Sequence, residues 1–133
     1  MEVREGMSSV ILAVGPGHTL RDAAAKMTEK GTGAALVFDE HSPAPRIITE
    51  RDVLNAIGGG EDPDKALVAD HMSDSVISAP PDWSLERAAE EMVKLGIRHL
   101  VVVERGELVG VLSMRDIVRV WTTVGATSSI TPP

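Results

Sequence analysis

The sequence predicts an α/β fold of the α+β type, with two β-α-β-β-α repeats related by a pseudo-twofold axis. The small sheets are expected to pack together, with the helices outside. Three observations predict this fold. Landmark residues recur at an offset of 65 residues along the 133-residue chain. Short runs rich in Val, Ile and Leu indicate strands. Apolar stripes at helical spacing follow hydroxyl residues that can cap helices. One repeat alone would expose a face of its sheet, so a second repeat is expected to cover it.

The internal repeat covers nearly all of the chain from residue 7 to residue 121. One residue is dropped from the loop after the second strand, and beyond that loop Thr49 and Asp52 align with Ser113 and Asp116. Before the loop, the aligned landmarks are Met7 with Met72, Pro16 with Pro81, Thr19 with Ser84, Ala23 with Ala88, Met27 with Met92 and Gly31 with Gly96. From this alignment we predict four segments: repeat one with its lead-in at 1–57, a linker and lead-in helix at 58–71, repeat two at 72–121, and a disordered tail at 122–133.

In the first repeat, an apolar run at 10–14 predicts a strand closed by a Gly-Pro-Gly turn. Thr19 is expected to cap a helix that ends at Gly31, with an apolar face at Leu20, Ala23, Ala24 and Met27. Runs at 33–38 and 47–48 predict the next two strands. A further helix then runs from the turn at Thr49 to residue 57.

The second repeat follows the same order. A strand is predicted at 75–78, and Ser84 is expected to cap a helix. The apolar stripe of that helix comprises Leu85, Ala88, Ala89, Met92 and Leu95. Runs at 97–103 and 108–112 predict a strand pair, and the last helix runs to residue 121. The acidic, glycine-rich segment 58–64 indicates a flexible connector.

Composition narrows the possible functions. Hydrophobic residues make up 43% and aromatic residues 2%, so the core must be aliphatic. The absence of cysteine excludes disulfides, thiolate catalysis and cysteine-based metal sites. A net charge of −7 without a basic stripe argues against nucleic acid or an anionic membrane as partner. The apolar runs are too short to span a bilayer, and no signal-peptide layout is visible, so a cytoplasmic location is expected.

The strand-to-helix turn of each repeat carries the same three groups, which are a hydroxyl residue, an arginine and an aspartate. We call these turns tip one (Thr49, Arg51, Asp52) and tip two (Ser113, Arg115, Asp116). One interpretation is helix capping, because the [ST]-x-x-[DE] pattern is a common capping box. The other is phosphate binding, because a helix N-terminus offers free N–H groups and partial positive charge. The second copy favours a functional role, and both interpretations remain open at this stage.

The duplicated pattern resembles the cystathionine β-synthase (CBS) domain, present as a tandem pair or Bateman module. The residues that carry the resemblance in repeat two are Met72-Ser73, Pro81-Asp82-Trp83-Ser84-Leu85, Ala88-Ala89, Met92, Gly96-Ile97-Arg98-His99-Leu100-Val101-Val102-Val103, Gly106 and Leu108-Val109-Gly110-Val111-Leu112-Ser113-Met114-Arg115-Asp116. The resemblance implies a ligand-sensing module that binds AMP, ADP, ATP or S-adenosylmethionine. The two tip arginines favour a phosphate over a sulfonium cation, so S-adenosylmethionine is the less favoured ligand.

The resemblance also implies two clefts, each shared between the repeats. Cleft one would hold Thr49, Arg51, Asp52, Val76, Ile77, Ile97, Arg98 and His99. Cleft two would hold Ser113, Arg115, Asp116, Leu12, Ala13, Thr32, Gly33 and Ala34. Cleft one is the more cationic and the first choice for a polyphosphate. His99 is expected either to contact phosphate or to be a partly buried histidine bonded to backbone. Lead-in residues Val3 and Met7 are expected to be buried against the neighbouring repeat.

One departure from the family concerns Arg46, which stands where the family has a glycine. It predicts a short or bent third strand in repeat one.

Three functions are compatible with the sequence. The first is a regulatory sensor that signals through an effector protein. The second is a homodimerisation or interaction module with vestigial clefts, using the helix faces 92–95 and 118–121. The third is a small enzyme, which has little support because Asp52 and Asp116 fall in different clefts and no nucleophile motif is present. We predict no catalytic residue, no metal site and no required cofactor.

Overall fold

The computed structural model describes residues 1–41, 44–74 and 76–125. The described residues form two packing units. The first unit is Ile11–Val76, and the second unit combines Met1–Val10 with the chain from Ile77 onward.

The elements alternate between short strands and helices. In chain order they are α1 (Val3–Gly6), β1 (Ala13–Val14), α2 (Leu20–Lys30), β2 (Ala34–Val37), β3 (Arg46–Thr49), α3 (Glu50–Gly58), β4 (Ser78–Ala79), α4 (Leu85–Leu95), β5 (His99–Glu104), β6 (Glu107–Ser113) and α5 (Met114–Val120). A 3-10 turn at Val68–Asp70 precedes β4, and a π-helical segment at Trp121–Gly125 follows α5.

Each unit contains one three-stranded sheet of the same topology. In the first unit β1 pairs parallel with β2, and β2 pairs antiparallel with β3. In the second unit β4 pairs parallel with β5, and β5 pairs antiparallel with β6. The register places Ala34 opposite Thr49 and His99 opposite Ser113, so each tip begins beside the start of its own central strand.

Both units have an aliphatic core between the sheet and its helices, as the composition predicts. The buried residues of the first core include Leu20, Ala23, Met27, Val37, Ile48, Val53 and Val68. Those of the second include Val3, Leu85, Ala88, Met92, Leu100, Val102 and Leu112. The predicted caps are confirmed: Thr19 and Ser84 accept the N–H of the third helical residue, and Gly31 and Gly96 end α2 and α4 in the left-handed conformation.

The lead-in segments pack in an exchanged manner. The segment before repeat one lies in the second unit, and the segment before repeat two lies in the first unit. Val3 donates its N–H to the Trp83 carbonyl at 2.7 Å, and Val68 donates to the His18 carbonyl at 2.8 Å. Further equivalent pairs are Arg4 with Pro81 and Ala69 with Pro16, and the bridges Ser8 with Val111 and Ser73 with Ile47. Each lead-in therefore docks by the same hydrogen bonds.

This exchange bears on two expectations. Val3 is fully buried and Met7 partly buried, both in the second unit, as the resemblance implies. The two packing units therefore differ from the segments predicted along the chain, because residues 1–10 pack with repeat two and residues 66–74 pack with repeat one.

Several local predictions need correction. The first strand of repeat one is Ala13–Val14 and not 10–14, since Val10 is 72% exposed. Its counterpart is Ser78–Ala79 and not 75–78, with Ser75 itself outside the described residues. The third strand of repeat one is shorter than its counterpart, as expected, with four residues in β3 against seven in β6, but it is not bent, because it pairs with β2 residue for residue from Arg46. Leu95 is 45% exposed and does not belong to the buried stripe of α4.

The connector and the tail also differ from expectation. Arg21 pairs with Asp64 and donates its backbone N–H to the Pro63 carbonyl, which ties the connector to α2. The predicted disordered tail begins with helical residues up to Gly125, and its remainder at 126–133 lies outside the described part of the chain.

Candidate functional site

Tip one is a complete capping box. Thr49 is the N-cap of α3, and its hydroxyl accepts the Asp52 N–H at 3.3 Å. The Thr49 N–H and hydroxyl both donate to Asp52 Oδ2, at 2.8 and 3.0 Å. Among the described residues, all hydrogen bonds of the Asp52 carboxylate use Oδ2, so Oδ1 keeps acceptor capacity.

Tip two has the same geometry with one addition. The Ser113 hydroxyl accepts the Asp116 N–H at 3.0 Å, and the Ser113 N–H donates to Asp116 Oδ2 at 2.9 Å. Arg119 lies one turn further along and donates to Asp116 Oδ1 at 3.4 Å and to the Gly6 carbonyl at 3.3 Å. Tip two is therefore joined to the lead-in of its unit, whereas Asn55 occupies the equivalent position in repeat one.

The capping interpretation of both tips is thus confirmed as local structure. It does not exclude ligand binding, because the capping box uses one oxygen of each aspartate and a carboxylate has two. Asp52 and Asp116 are both half-buried at the starts of their helices, a position that fixes their orientation.

Beside each tip lies the start of the central strand, Gly33-Ala34 in repeat one and Arg98-His99 in repeat two, which we call the strand edge. Each strand edge belongs to the same unit as the tip beside it. The Gly33 carbonyl accepts the Glu50 N–H at 2.8 Å, and the Arg98 carbonyl accepts the Met114 N–H at 2.9 Å. Gly33 and Ala34 are buried, whereas Arg98 is exposed and His99 half-buried. His99 has an interaction within the structure, and its expected contact with phosphate stays a prediction.

The remaining predicted residues lie along these edges. Leu12 accepts the Leu36 N–H at 2.9 Å next to Ala13 in β1, and Ile77 accepts the Val101 N–H at 3.0 Å. Thr32 donates its hydroxyl to the Ala34 carbonyl at 3.4 Å. The first unit contains Leu12, Ala13, Thr32, Gly33, Ala34, Thr49, Arg51, Asp52 and Val76, and the second unit contains Ile77, Ile97, Arg98, His99, Ser113, Arg115 and Asp116. The predicted grouping of each tip with the strand edge of the other repeat stays a prediction.

Sequence reasoning missed Glu50. A Cβ built at Gly33 would lie only 2.9 Å from the carboxyl carbon of Glu50, so this carboxylate lies against the backbone of the strand edge. The available signal was the identity of the variable residue in the tip, which is an acid in repeat one and Met114 in repeat two.

Two residues near the start of α2 have shifted pKa values. Backbone hydrogen bonding at Thr19 lowers the pKa of Asp22, and hydrogen bonding to Asp64 raises the pKa of Arg21. Within the described residues, no group of three or more His, Asp or Glu side chains is placed to hold a metal ion. Nor does any described helix have the length and apolar character needed to cross a membrane.

A duplicated α/β unit with a hydroxyl–aspartate turn in each copy defines a tandem-domain protein. Residues 2–59 and 68–122 match the family model of the CBS domain, and the chain belongs to this family. The tandem CBS pair predicted from the sequence is confirmed.

Proteins of known structure and curated relatives resemble this chain. A protein with CBS domains from Burkholderia ambifaria MC40-6 matches at a TM-score of 0.84 and 27% identity, covering 100% of both chains. The CBS domain protein PAE2072 from Pyrobaculum aerophilum, solved in complex with AMP, matches at a TM-score of 0.77 and 30% identity, covering 96% of this chain and 99% of that one. The uncharacterized protein MK0525 of Methanopyrus kandleri is 35% identical over 119 residues, which is 88% of this chain. The chain spans 61% of the length of MK0525.

Proposed function

We propose that the protein is a regulatory module that binds an adenine nucleotide (AMP, ADP or ATP) and signals through an effector protein. The observation that carries this proposal is the pair of tips, which present an oriented aspartate in the same capping geometry in both units. The AMP complex of PAE2072 supports an adenosine phosphate as the ligand class. The proposal includes no catalytic step and no resident metal or cofactor.

The chemistry of the tips fits such a ligand. Asp52 Oδ1 can accept from a ribose hydroxyl while Oδ2 continues to cap α3. Asp116 offers the same group if Arg119 yields its contact with Oδ1. The exposed guanidinium groups of Arg51 and Arg98 can meet phosphate oxygens. Binding regulates only if the ligand has different affinities for two conformations that a partner distinguishes.

The test is thermal unfolding with and without millimolar AMP, ADP, ATP and S-adenosylmethionine. A ligand at ~100 times its dissociation constant stabilises by about 2.7 kcal/mol. This corresponds to a shift of several degrees for a domain of this size. We expect a nucleotide to give this shift in the wild type. Asp52→Ala or Asp116→Ala should abolish the part of the shift that comes from binding at the tip it alters.

The matched control is Asp22→Ala. Asp22 forms the same capping box with Thr19 at the start of α2 and is part of neither tip. All three variants lose a cap, so all unfold at a lower temperature without ligand, and the comparison is the ligand shift within each variant. If Asp22→Ala loses the ligand shift as fully as the tip variants do, the aspartates act as caps and the binding proposal fails.

A second candidate function, homodimerisation, is supported by exposed apolar side chains at equivalent positions of α3 and of α5 with the residue that follows it. Leu54 and Ile57 are 69% and 49% exposed, and Val118 and Trp121 are 50% and 56% exposed. Of the helix face predicted at 92–95, Met92 is fully buried and does not belong to it, whereas Val93 and Leu95 are 73% and 45% exposed. Sedimentation of Leu54→Asp and Val118→Asp tests this function. Dimers that dissociate in these variants support it, and an unchanged sedimentation coefficient contradicts it.

A further inference from the structure

The N-terminal lead-in is held on the second unit at two places. Val3 is fully buried and donates its N–H to the Trp83 carbonyl at 2.7 Å. Ser8 exchanges two backbone hydrogen bonds with Val111 of β6, at 2.9 and 3.0 Å. Met7 directly precedes Ser8 in the chain. A change in the chemistry of Met7 therefore acts on the segment that closes the edge of β6.

The side chain of Met7 packs beneath the lead-in. It is half-buried and lies against the apolar core of the second unit. A Cβ at Gly110 would lie 2.8 Å from the Met7 sulfur, 3.2 Å from its Cγ and 2.8 Å from the Ser8 carbonyl oxygen. The thioether and this carbonyl therefore approach the same point of the β6 backbone, where glycine leaves room for both.

The methionines of this chain differ in how far an oxidant can reach them. The chain contains no cysteine, so all of its sulfur belongs to six methionines. Met27 and Met92 are only 4% and 0% exposed, and an oxidant in solution reaches them least readily. Met7, Met72 and Met114 are half-buried and pack against the two cores. These three combine access from solvent with a role in packing.

The position of Met7 differs from those of the other two half-buried methionines. Met72 is its counterpart in the lead-in of repeat two, but Arg46 stands in repeat one where repeat two has Gly110. A sulfur placed there like that of Met7 would meet the Cβ of Arg46. Met114 lies at the start of α5 and belongs to neither lead-in. The contact of a thioether with bare glycine backbone is therefore argued for Met7.

We propose that Met7 is an oxidation site, at which hydrogen peroxide converts the thioether to a sulfoxide and thereby releases the N-terminal lead-in. A bond forms between the sulfur and one peroxide oxygen while the O–O bond breaks. The sulfur is oxidised, and the other oxygen leaves as water with both protons. The sulfoxide oxygen is an acceptor, and the Ser8 carbonyl beside it cannot donate a hydrogen bond. A polar group buried without a partner disfavours the docked lead-in.

Release of the lead-in changes the surface of the second unit. The Val111 N–H and carbonyl lose their partners in Ser8, and the edge of β6 becomes open to pairing with another strand. Methionine sulfoxide can be reduced back to the thioether, so the lead-in can dock again. This inference does not depend on nucleotide binding at the tips, because it concerns the contact between the lead-in and β6.

The experiment treats the folded protein with hydrogen peroxide and follows oxidation and docking together. Peptide mass spectrometry measures the sulfoxide fraction at each methionine over time, and amide hydrogen exchange reports protection at Val3 and Ser8. We expect Met7 to be oxidised faster than Met27 and Met92. Exchange at Val3 and Ser8 should rise about tenfold or more as the Met7 sulfoxide forms. Treatment with methionine sulfoxide reductases should restore the original exchange.

Met7→Leu is the decisive variant, because leucine has a similar volume and no sulfur. It should keep slow exchange at Val3 and Ser8 after the same peroxide treatment. Met7→Gln introduces a polar group without any oxidant, and it should raise exchange at both amides in untreated protein. The matched controls are Met72→Leu, in the other lead-in, and Met114→Leu, in the same unit as Met7. Both controls should respond to peroxide as the wild type does.

Three results would overturn the inference. One is oxidation of Met7 that is no faster than that of the buried methionines. Another is a Met7 sulfoxide that forms while exchange at Val3 and Ser8 stays unchanged. The third is a Met7→Leu variant that loses protection as fully as the wild type, because another methionine would then be responsible. Protection that is kept only in Met114→Leu would assign the effect to the start of α5.

Discussion

Gly110 lies directly beneath the lead-in, so that a Cβ at this position would come within 2.8 Å of the Ser8 carbonyl oxygen. The same atom would lie 2.8 Å from the sulfur of Met7. Ser8 and Val111 exchange both of their backbone hydrogen bonds at this point, at 2.9 and 3.0 Å. The edge of β6 is therefore closed by the lead-in, and glycine is the residue that allows its close approach.

The first prediction follows from that contact. Gly110→Ala should push the lead-in away from β6 and destabilise the protein by about 1–3 kcal/mol, the usual cost of overpacking. Urea unfolding measures the loss, and amide exchange at Val3 and Ser8 shows whether it is located in the lead-in. Gly58→Ala is the control, because Gly58 lies in α3 and, apart from its chain neighbours and the backbone of its own helix, no described atom lies within 4 Å of the place that a Cβ would take there. It should be stabilising by about 0.4–1 kcal/mol.

A second prediction concerns the exchanged lead-ins. Val3 and Val68 are both fully buried at equivalent positions, so replacing either by Ala should cost about 1–3 kcal/mol of unfolding free energy. Val10→Ala is the matched control, because this side chain is 72% exposed and should change stability by less than about 0.5 kcal/mol. Chemical denaturation checks all three. Equal stabilities of Val3→Ala and Val10→Ala would contradict the docking of the N-terminal lead-in.

A third prediction concerns the capping role of the tip hydroxyls. Thr49→Ala and Ser113→Ala remove N-caps and should each cost about 1 kcal/mol of stability. Ser84→Ala removes the cap of α4, which is not part of a tip, and should cost about the same. Thermal unfolding measures the three losses. A much larger loss for Ser84→Ala would mean that the tip hydroxyls contribute little to capping.

A fourth prediction concerns acid. The hydrogen bond from the Thr19 backbone lowers the pKa of Asp22 below its ordinary value. A carboxyl whose pKa is lower when folded stabilises the protein above its unfolded pKa of about 3.9. That contribution is lost as the pH falls through the folded pKa. Unfolding temperatures of wild type and Asp22→Asn, measured from pH 6 to pH 2, should therefore converge at the acid end. A difference that stays constant over this range would contradict the assignment.

Sequence patterns predicted the elements whose signals are local. Thr19 and Gly31 bound α2 as expected, because a hydroxyl at the N-cap and a left-handed glycine at the C-cap act within one turn of the helix. The duplicated tips were visible for the same reason, since a capping box joins residues three positions apart. The family followed from the order and duplication of these local signals.

Tertiary structure decided what depends on distant partners. β1 is limited to Ala13–Val14, because these are the residues that pair in parallel with β2. The apolar run at 10–14 does not by itself indicate which of its residues will pair. Val3 is buried by residues more than 75 positions away, and the packing of the Glu50 carboxylate against Gly33 requires β2 and α3 to meet. Local hydrogen bonds are encoded in neighbouring residues. The identity of a docking partner and the charge of a strand edge depend on which segments the fold brings together.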